Sequence, residues 1–138
     1  MLDHKILIIL MITLLSSCSH ERDSISRNVF RDSSFFCPWA YSIDAKIPVE
    51  IQFFNQTGID ENELADLANS ASSSGKLYLL LYAKYRSPLQ YVTIKGKITM
   101  TDVIEYRNGC VYKDITSEEA VRKIDLLTYD WAGVINDN

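Results

Sequence analysis

Acidic side chains are the main candidates for chemistry in this chain, and they occur in two clusters. Glu61, Glu63 and Asp66 form the first, and Glu118 and Glu119 form the second. Two carboxylates suffice to hydrolyse a glycosidic bond, and a carboxylate cluster can bind a hard cation such as calcium. Acidic residues are also common in the first turns of helices, where they interact favourably with the helix dipole. The helix explanation is simpler, so we expect neither a catalytic residue nor a metal site.

Histidine is scarce, and this limits the mechanisms open to the chain. The two histidines, His4 and His20, both lie near the N-terminus. A Ser-His-Asp or Cys-His mechanism needs a histidine in the folded domain, and zinc sites mostly use His or Cys. The five glycines are isolated, so no phosphate-binding loop is expected. The net charge of −4, with scattered Lys and Arg, also argues against nucleic acid as a partner. We expect no small-molecule cofactor.

Tyrosine is enriched in this chain, at eight copies. Residues 77–86 and 91–100 alternate between two faces, which predicts two strands. If these strands pair, their tyrosines and basic residues share a surface of the type found at protein interfaces. Alternatively, the tyrosines only cover a sheet face while their hydroxyls stay hydrated. The predicted partner surface consists of Tyr78, Tyr82, Lys84, Arg86, Tyr91, Lys95 and Lys97.

The elements that would position these residues are predicted in the order β-β-α-β-β-β-α. Short turns join most of the strands, which favours an α+β fold: a small antiparallel sheet of about four to five strands with two helices on one face. Asn108-Gly109 is a strong hairpin signal. The predicted strands cover residues 35–43, 47–54, 77–86, 91–100 and 110–115, with 102–106 continuing or bending the fourth.

Two capping boxes mark the beginnings of the predicted helices. Asp60 precedes Glu63 by three residues, and Thr116 precedes Glu119 by the same spacing. We expect the first helix to end at Gly75, in a left-handed cap. We expect the second helix to run to about residue 131.

The N-terminus has the pattern of an export signal. Residues 6–15 form an apolar run that is too short to span a bilayer and fits the hydrophobic part of a signal peptide. The next residues, Leu15-Ser16-Ser17-Cys18, resemble the lipobox of bacterial lipoproteins. The resemblance implies cleavage before Cys18 and fatty acylation of that cysteine. Ser19, rather than aspartate, follows it, which implies an anchor in the outer membrane with the domain facing the periplasm.

Lipidation of Cys18 would leave Cys37 and Cys110 as the remaining cysteines in an oxidising compartment. We therefore expect a disulfide between them, which would contribute about 4 kcal/mol in the chain-entropy model. Two buried thiols or a redox site are the alternatives.

The resulting domain plan has three parts. Residues 1–17 are the signal peptide, residues 18–34 are a lipidated tether, and residues 35–138 are one domain. Sixteen flexible residues give a root-mean-square reach of roughly 20–25 Å. An N-terminal strand docked on the domain through Ile25, Val29 and Phe30 is the alternative.

These features favour a lipid-anchored protein without enzymatic activity. It would bind another envelope protein, as an assembly factor for a secretion or pilus system. An immunity or entry-exclusion lipoprotein needs the same features. A carboxylate-based hydrolase acting on cell wall or glycans is the third alternative.

Overall fold

The computed structural model describes residues 27–38, 48–57, 59–108 and 111–127. The fold is α+β, with a small sheet and six helices in this part of the chain. The order is α1 (residues 27–31), β1 (Phe35–Phe36), α2 (Val49–Thr57), α3 (Glu61–Ser70), α4 (Ser73–Arg86), α5 (Pro88–Lys95), β2 (Val103–Asn108), β3 (Val111–Thr116) and α6 (Ser117–Leu126).

The described sheet has three strands in the order β1-β2-β3. β1 pairs with β2 in parallel, with Phe36 beside Tyr106. β2 pairs with β3 antiparallel, which confirms the predicted hairpin. The predicted α+β class is confirmed, but the parallel pairing of β1 shows that the sheet is not purely antiparallel. The predicted four to five strands with two helices on one face are not confirmed. Much of the predicted sheet is helical.

Helix α4 is the centre of the core and was predicted to be a strand. It contacts α2, α3, α5 and α6 as well as β1 and β2. Every residue from 77 to 83 is buried, because neighbours surround the helix on all sides. A helix of this kind has no polar stripe, so its sequence is a continuous apolar run that periodicity cannot distinguish from a buried strand.

Two other predicted strands are helices as well. Residues 49–57 form α2, in which Ile51, Phe53 and Phe54 pack into the core. Residues 88–95 form α5, which begins at Pro88, a residue suited to the first helical turn. Local alternation was misleading in both segments, because each is short enough to satisfy the strand and the helix pattern at once.

The caps explain where three of the helices begin. The Asp60 side chain accepts a hydrogen bond from the Glu63 N–H, and the Thr116 side chain accepts one from the Glu119 N–H, as predicted. Ser72 caps α4 through the Gly75 N–H, so Gly75 lies inside a helix and does not end one. α6 ends at Leu126, whereas residue 131 lies outside the described residues.

Helix α1 belongs to the folded domain, which corrects the predicted tether. Phe30 is fully buried, and its ring stacks on Phe54 with 5.3 Å between the ring centres. Its backbone oxygen accepts a hydrogen bond from the Ser72 N–H. The docking of Val29 and Phe30 agrees with the alternative prediction, but the segment is a helix and not the predicted strand. Ile25 lies outside the described residues.

Candidate functional site

The predicted partner surface does not form, because its two central tyrosines are buried. Tyr78 is 0% exposed and Tyr82 is 6% exposed. The Tyr78 hydroxyl accepts a hydrogen bond from the Cys37 N–H at 2.9 Å. The Tyr82 hydroxyl accepts one from the Ile59 N–H at 3.1 Å. Burial and the nearby Glu50 carboxylate raise the pKa of Tyr78. Both tyrosines therefore hold loops onto α4.

Lys84 has a structural role at the end of α6. Its ammonium group donates hydrogen bonds to the backbone oxygens of Ile124, of Asp125 at 3.0 Å and of Leu127 at 2.9 Å. A cation is favourable at this end of a helix, where carbonyl groups lack partners. Burial lowers the pKa of Lys84, and the Asp125 carboxylate opposes that shift.

Tyr91 and Lys95 join α5 to α6 through one carboxylate. The Tyr91 hydroxyl donates to Asp125, and the Lys95 ammonium lies 2.9 Å from the other oxygen of that residue. Burial opposes the charged form of Asp125, but these two donors outweigh it and lower its pKa. Burial and the same carboxylate raise the pKa of Tyr91.

Two residues of the predicted partner surface remain. Arg86 is exposed at the end of α4, and Lys97 contacts Asn69.

The carboxylates of the two predicted clusters make contacts in separate parts of the structure. Glu61 accepts a hydrogen bond from the Ser87 hydroxyl at 2.9 Å. Glu119 contacts Lys113 at 3.5 Å and Lys123 at 3.6 Å. Within the described ranges, no three His, Cys, Asp or Glu side chains are grouped closely enough to hold a metal ion.

An open groove of about 340 Å³ lies between α5 and α6. Two basic and two acidic side chains contribute to its lining, so it has no net charge that would select an ion. Its lining residues are Lys95, Met100, Glu118, Val121, Arg122 and Asp125.

The solvent-facing side of the sheet carries an aromatic and basic row that spans all three strands. The guanidinium carbon of Arg107 lies 3.7 Å from the Phe35 ring centre and 5.1 Å from that of Tyr112. Glu105 contacts the same guanidinium at 2.5 Å. Both ring contacts lie within the range of cation–π attraction, and the flat guanidinium suits stacking. We call Phe35, Arg107 and Tyr112 the sheet row.

The sheet row could not be predicted from the sequence, because Phe35 is far along the chain from Arg107 and Tyr112. Phe35 meets Arg107 only through the parallel pairing of β1 with β2, and sequence patterns do not reveal such pairing. The register places Arg107 opposite Tyr112, so their side chains share one face. Tyr112 is 63% exposed, and Val103 on the same face is 67% exposed.

The lipidation and disulfide predictions concern residues that are only partly described. Cys18 and Cys110 lie outside the described residues. Cys37 directly follows β1 and is half-buried. The strand before it pairs with β2, and β2 ends two residues before Cys110. This pairing brings the two segments together, and the bridge itself stays a prediction.

None of the helices in the described ranges has the length and apolar character to cross a membrane. Comparison with protein-family models gives no match, and neither curated proteins nor solved structures show significant similarity to this chain.

Proposed function

We propose that this chain is a lipid-anchored protein of the bacterial outer membrane that binds another envelope protein and catalyses no reaction. The proposed role is assembly of a secretion or pilus system. The lipobox sequence ending at Cys18 supports the anchor, and Ser19 after it supports the outer membrane. The sheet row supports the binding role.

The sheet row is the observation on which the binding proposal depends. Arginine and tyrosine are over-represented among residues that dominate binding energy at protein interfaces. Here the Arg107 side chain lies between two rings and beside Glu105. Since the guanidinium is ordered before a partner arrives, binding loses less side-chain entropy than it would with a mobile arginine.

In-cell photo-crosslinking tests this surface. A photoreactive residue at Val103 lies on the sheet face, and one at Leu89, which is 81% exposed on α5, is the matched control. We expect one discrete adduct from position 103 and none from position 89. Arg107→Ala and Arg107→Lys should both reduce the adduct several-fold, because neither keeps a planar group between the rings.

The crosslinked protein also distinguishes the biological roles. A secretin or pilus subunit supports an assembly factor, whereas a toxin or conjugation protein supports an immunity or exclusion role. Equal adducts from both positions, or an adduct insensitive to both Arg107 variants, would contradict the proposed surface. Fatty-acid labelling that depends on Cys18 tests the anchor separately.

A further inference from the structure

Among the described residues, strand β3 forms one edge of the sheet. It pairs with β2 on one side, and its other main contact is with α6, the helix that directly follows it. Of its six residues, only Ile115 is buried. An edge strand of this length presents backbone groups that can pair with another extended chain.

The register shows which backbone groups point outward. Asn108 lies opposite Val111, with two residues between them. In a two-residue hairpin this closing pair is hydrogen-bonded, and hydrogen-bonded and non-hydrogen-bonded pairs then alternate along the ladder. Tyr112 and Asp114 fall in non-hydrogen-bonded pairs, so their N–H and C=O groups point away from β2. Each offers one donor and one acceptor to an added strand.

The outer face of this edge carries the Asp114 carboxylate, which forms no ion pair with the described residues. Asp114 lies opposite Glu105, and like charges directly opposite each other destabilise a sheet. Arg107 contacts Glu105 at 2.5 Å, but no cation in the described part of the chain lies within ion-pair distance of Asp114. Lys113 alternates to the other face, where it contacts Glu119.

We propose that an extended segment of the partner adds to the β3 edge as a fourth strand and places a Lys or Arg beside Asp114. The partner residue two positions along the strand from this Lys or Arg then lies beside Tyr112, where an aliphatic side chain fits. This proposal rests on the proposed function and names its binding mode: backbone hydrogen bonds supply affinity, and the alternating side chains supply specificity.

A second copy of β3 fits this edge less well. Antiparallel self-pairing centred on Lys113 would place that ammonium group opposite its own copy, and like charges at that position are unfavourable. A basic strand from a different protein meets the same backbone without this conflict.

A defined peptide tests the proposal on the full-length lipoprotein in detergent. The probe is Ser-Val-Thr-Lys-Thr-Val-Ser, which reads the same in both directions, so strand orientation does not affect the result. We expect peptide-induced NMR shifts concentrated at residues 111–116. A peptide with Glu in place of Lys should bind at least tenfold more weakly. A probe N-methylated on alternate residues should not bind, because its hydrogen-bonding edge is blocked.

The reciprocal variant separates charge pairing from damage to the fold. Asp114→Lys should prefer the Glu peptide over the Lys peptide. Asp114→Asn should weaken binding of the Lys peptide while the unfolding midpoint stays the same or rises, since repulsion with Glu105 is removed.

Three results would overturn strand addition. They are absence of binding at millimolar peptide, equal binding of the Lys and Glu peptides, and full binding of the methylated probe. A dimer abolished by Asp114→Lys would overturn it too, in favour of a second copy.

The two proposals can fail separately. A crosslink from Val103 together with a negative peptide result rejects strand addition and leaves the sheet face as a binding surface. Failure of both experiments rejects the binding role of this face.

Discussion

The backbone of Phe30 in α1 lies directly against Gly75 in α4. A methyl group at position 75 would overlap the Phe30 carbonyl oxygen and lie 2.8 Å from its carbonyl carbon. Both neighbours are backbone atoms, so no side-chain rotation can relieve the overlap. The two helices can approach this closely only because residue 75 has no side chain.

Gly75→Ala should therefore destabilise the domain severely. We expect a loss of about 3 kcal/mol or more, or failure to fold, because α1 must move away from α4 and expose Phe30. Gly96→Ala is the matched control, since the nearest atoms to its new methyl group lie 3.5 Å away. That variant should be neutral or stabilised by up to about 1 kcal/mol. Urea denaturation measures both, and equal stabilities would contradict the close packing.

Tyr78→Phe should weaken the attachment of the segment after β1. The change removes the hydroxyl that accepts a hydrogen bond from the half-buried Cys37 N–H, and loss of one hydrogen bond costs about 0.5–1.5 kcal/mol. Tyr112→Phe removes a hydroxyl from an exposed side chain and should change stability by less than about 0.5 kcal/mol. Denaturation midpoints compare the two variants. A Tyr78→Phe midpoint that matches the control would show that this hydrogen bond has no net effect.

Asp125 should make stability depend on pH in the acid range. Its pKa is lower in the folded chain than the ordinary value of 3.8. The unfolded state therefore takes up a proton first as the pH falls. The stabilisation is complete above pH 3.8. It is lost as the pH falls through the lower pKa that Asp125 has in the folded chain.

Asp125→Asn tests this dependence. At pH 6 the variant should be less stable by about 0.2–1 kcal/mol, the usual range for exposed ion pairs. The difference from the unmodified protein should shrink towards zero between pH 4 and about pH 2. Urea titrations across this range provide the measurement. A difference that stays constant with pH would mean that the side chain acts by packing rather than by charge.

The predicted bridge between Cys37 and Cys110 can be tested by mass spectrometry. Non-reduced mature protein should yield one peptide that contains both residues, and alkylation before reduction should label neither. Reduction should cost about 4 kcal/mol of stability in the chain-entropy model. The double variant Cys37→Ser with Cys110→Ser should match reduced protein. Labelling of both cysteines in non-reduced protein would contradict the bridge.

Local signals in the sequence predicted local structure well. The caps at Asp60 and Thr116 and the hairpin beyond Asn108 each depend on residues within one turn of each other. Such contacts form with little influence from the rest of the chain, so their sequence patterns remain readable.

Sequence patterns that depend on burial predicted the wrong secondary structure. Residues 77–83 read as a strand because packing on every side removed the polar stripe that marks a helix. The error then placed Tyr78 and Tyr82 on a surface, whereas both lie in the core. The sheet row was beyond prediction for a related reason, since Phe35 and Arg107 are brought together by a long-range parallel pairing.

In the proposed lipid-anchored protein, the docking of α1 on α4 would limit how far the domain stands from the bilayer. With acyl chains on Cys18, nine Cα–Cα steps connect the lipid to Arg27, and a chain of that length spans at most about 30 Å. A partner of the proposed β3 edge would then have to reach it within that distance plus the width of the domain itself. Confinement beside the membrane raises the effective concentration of a membrane-bound partner, so even a weak strand contact can be occupied there.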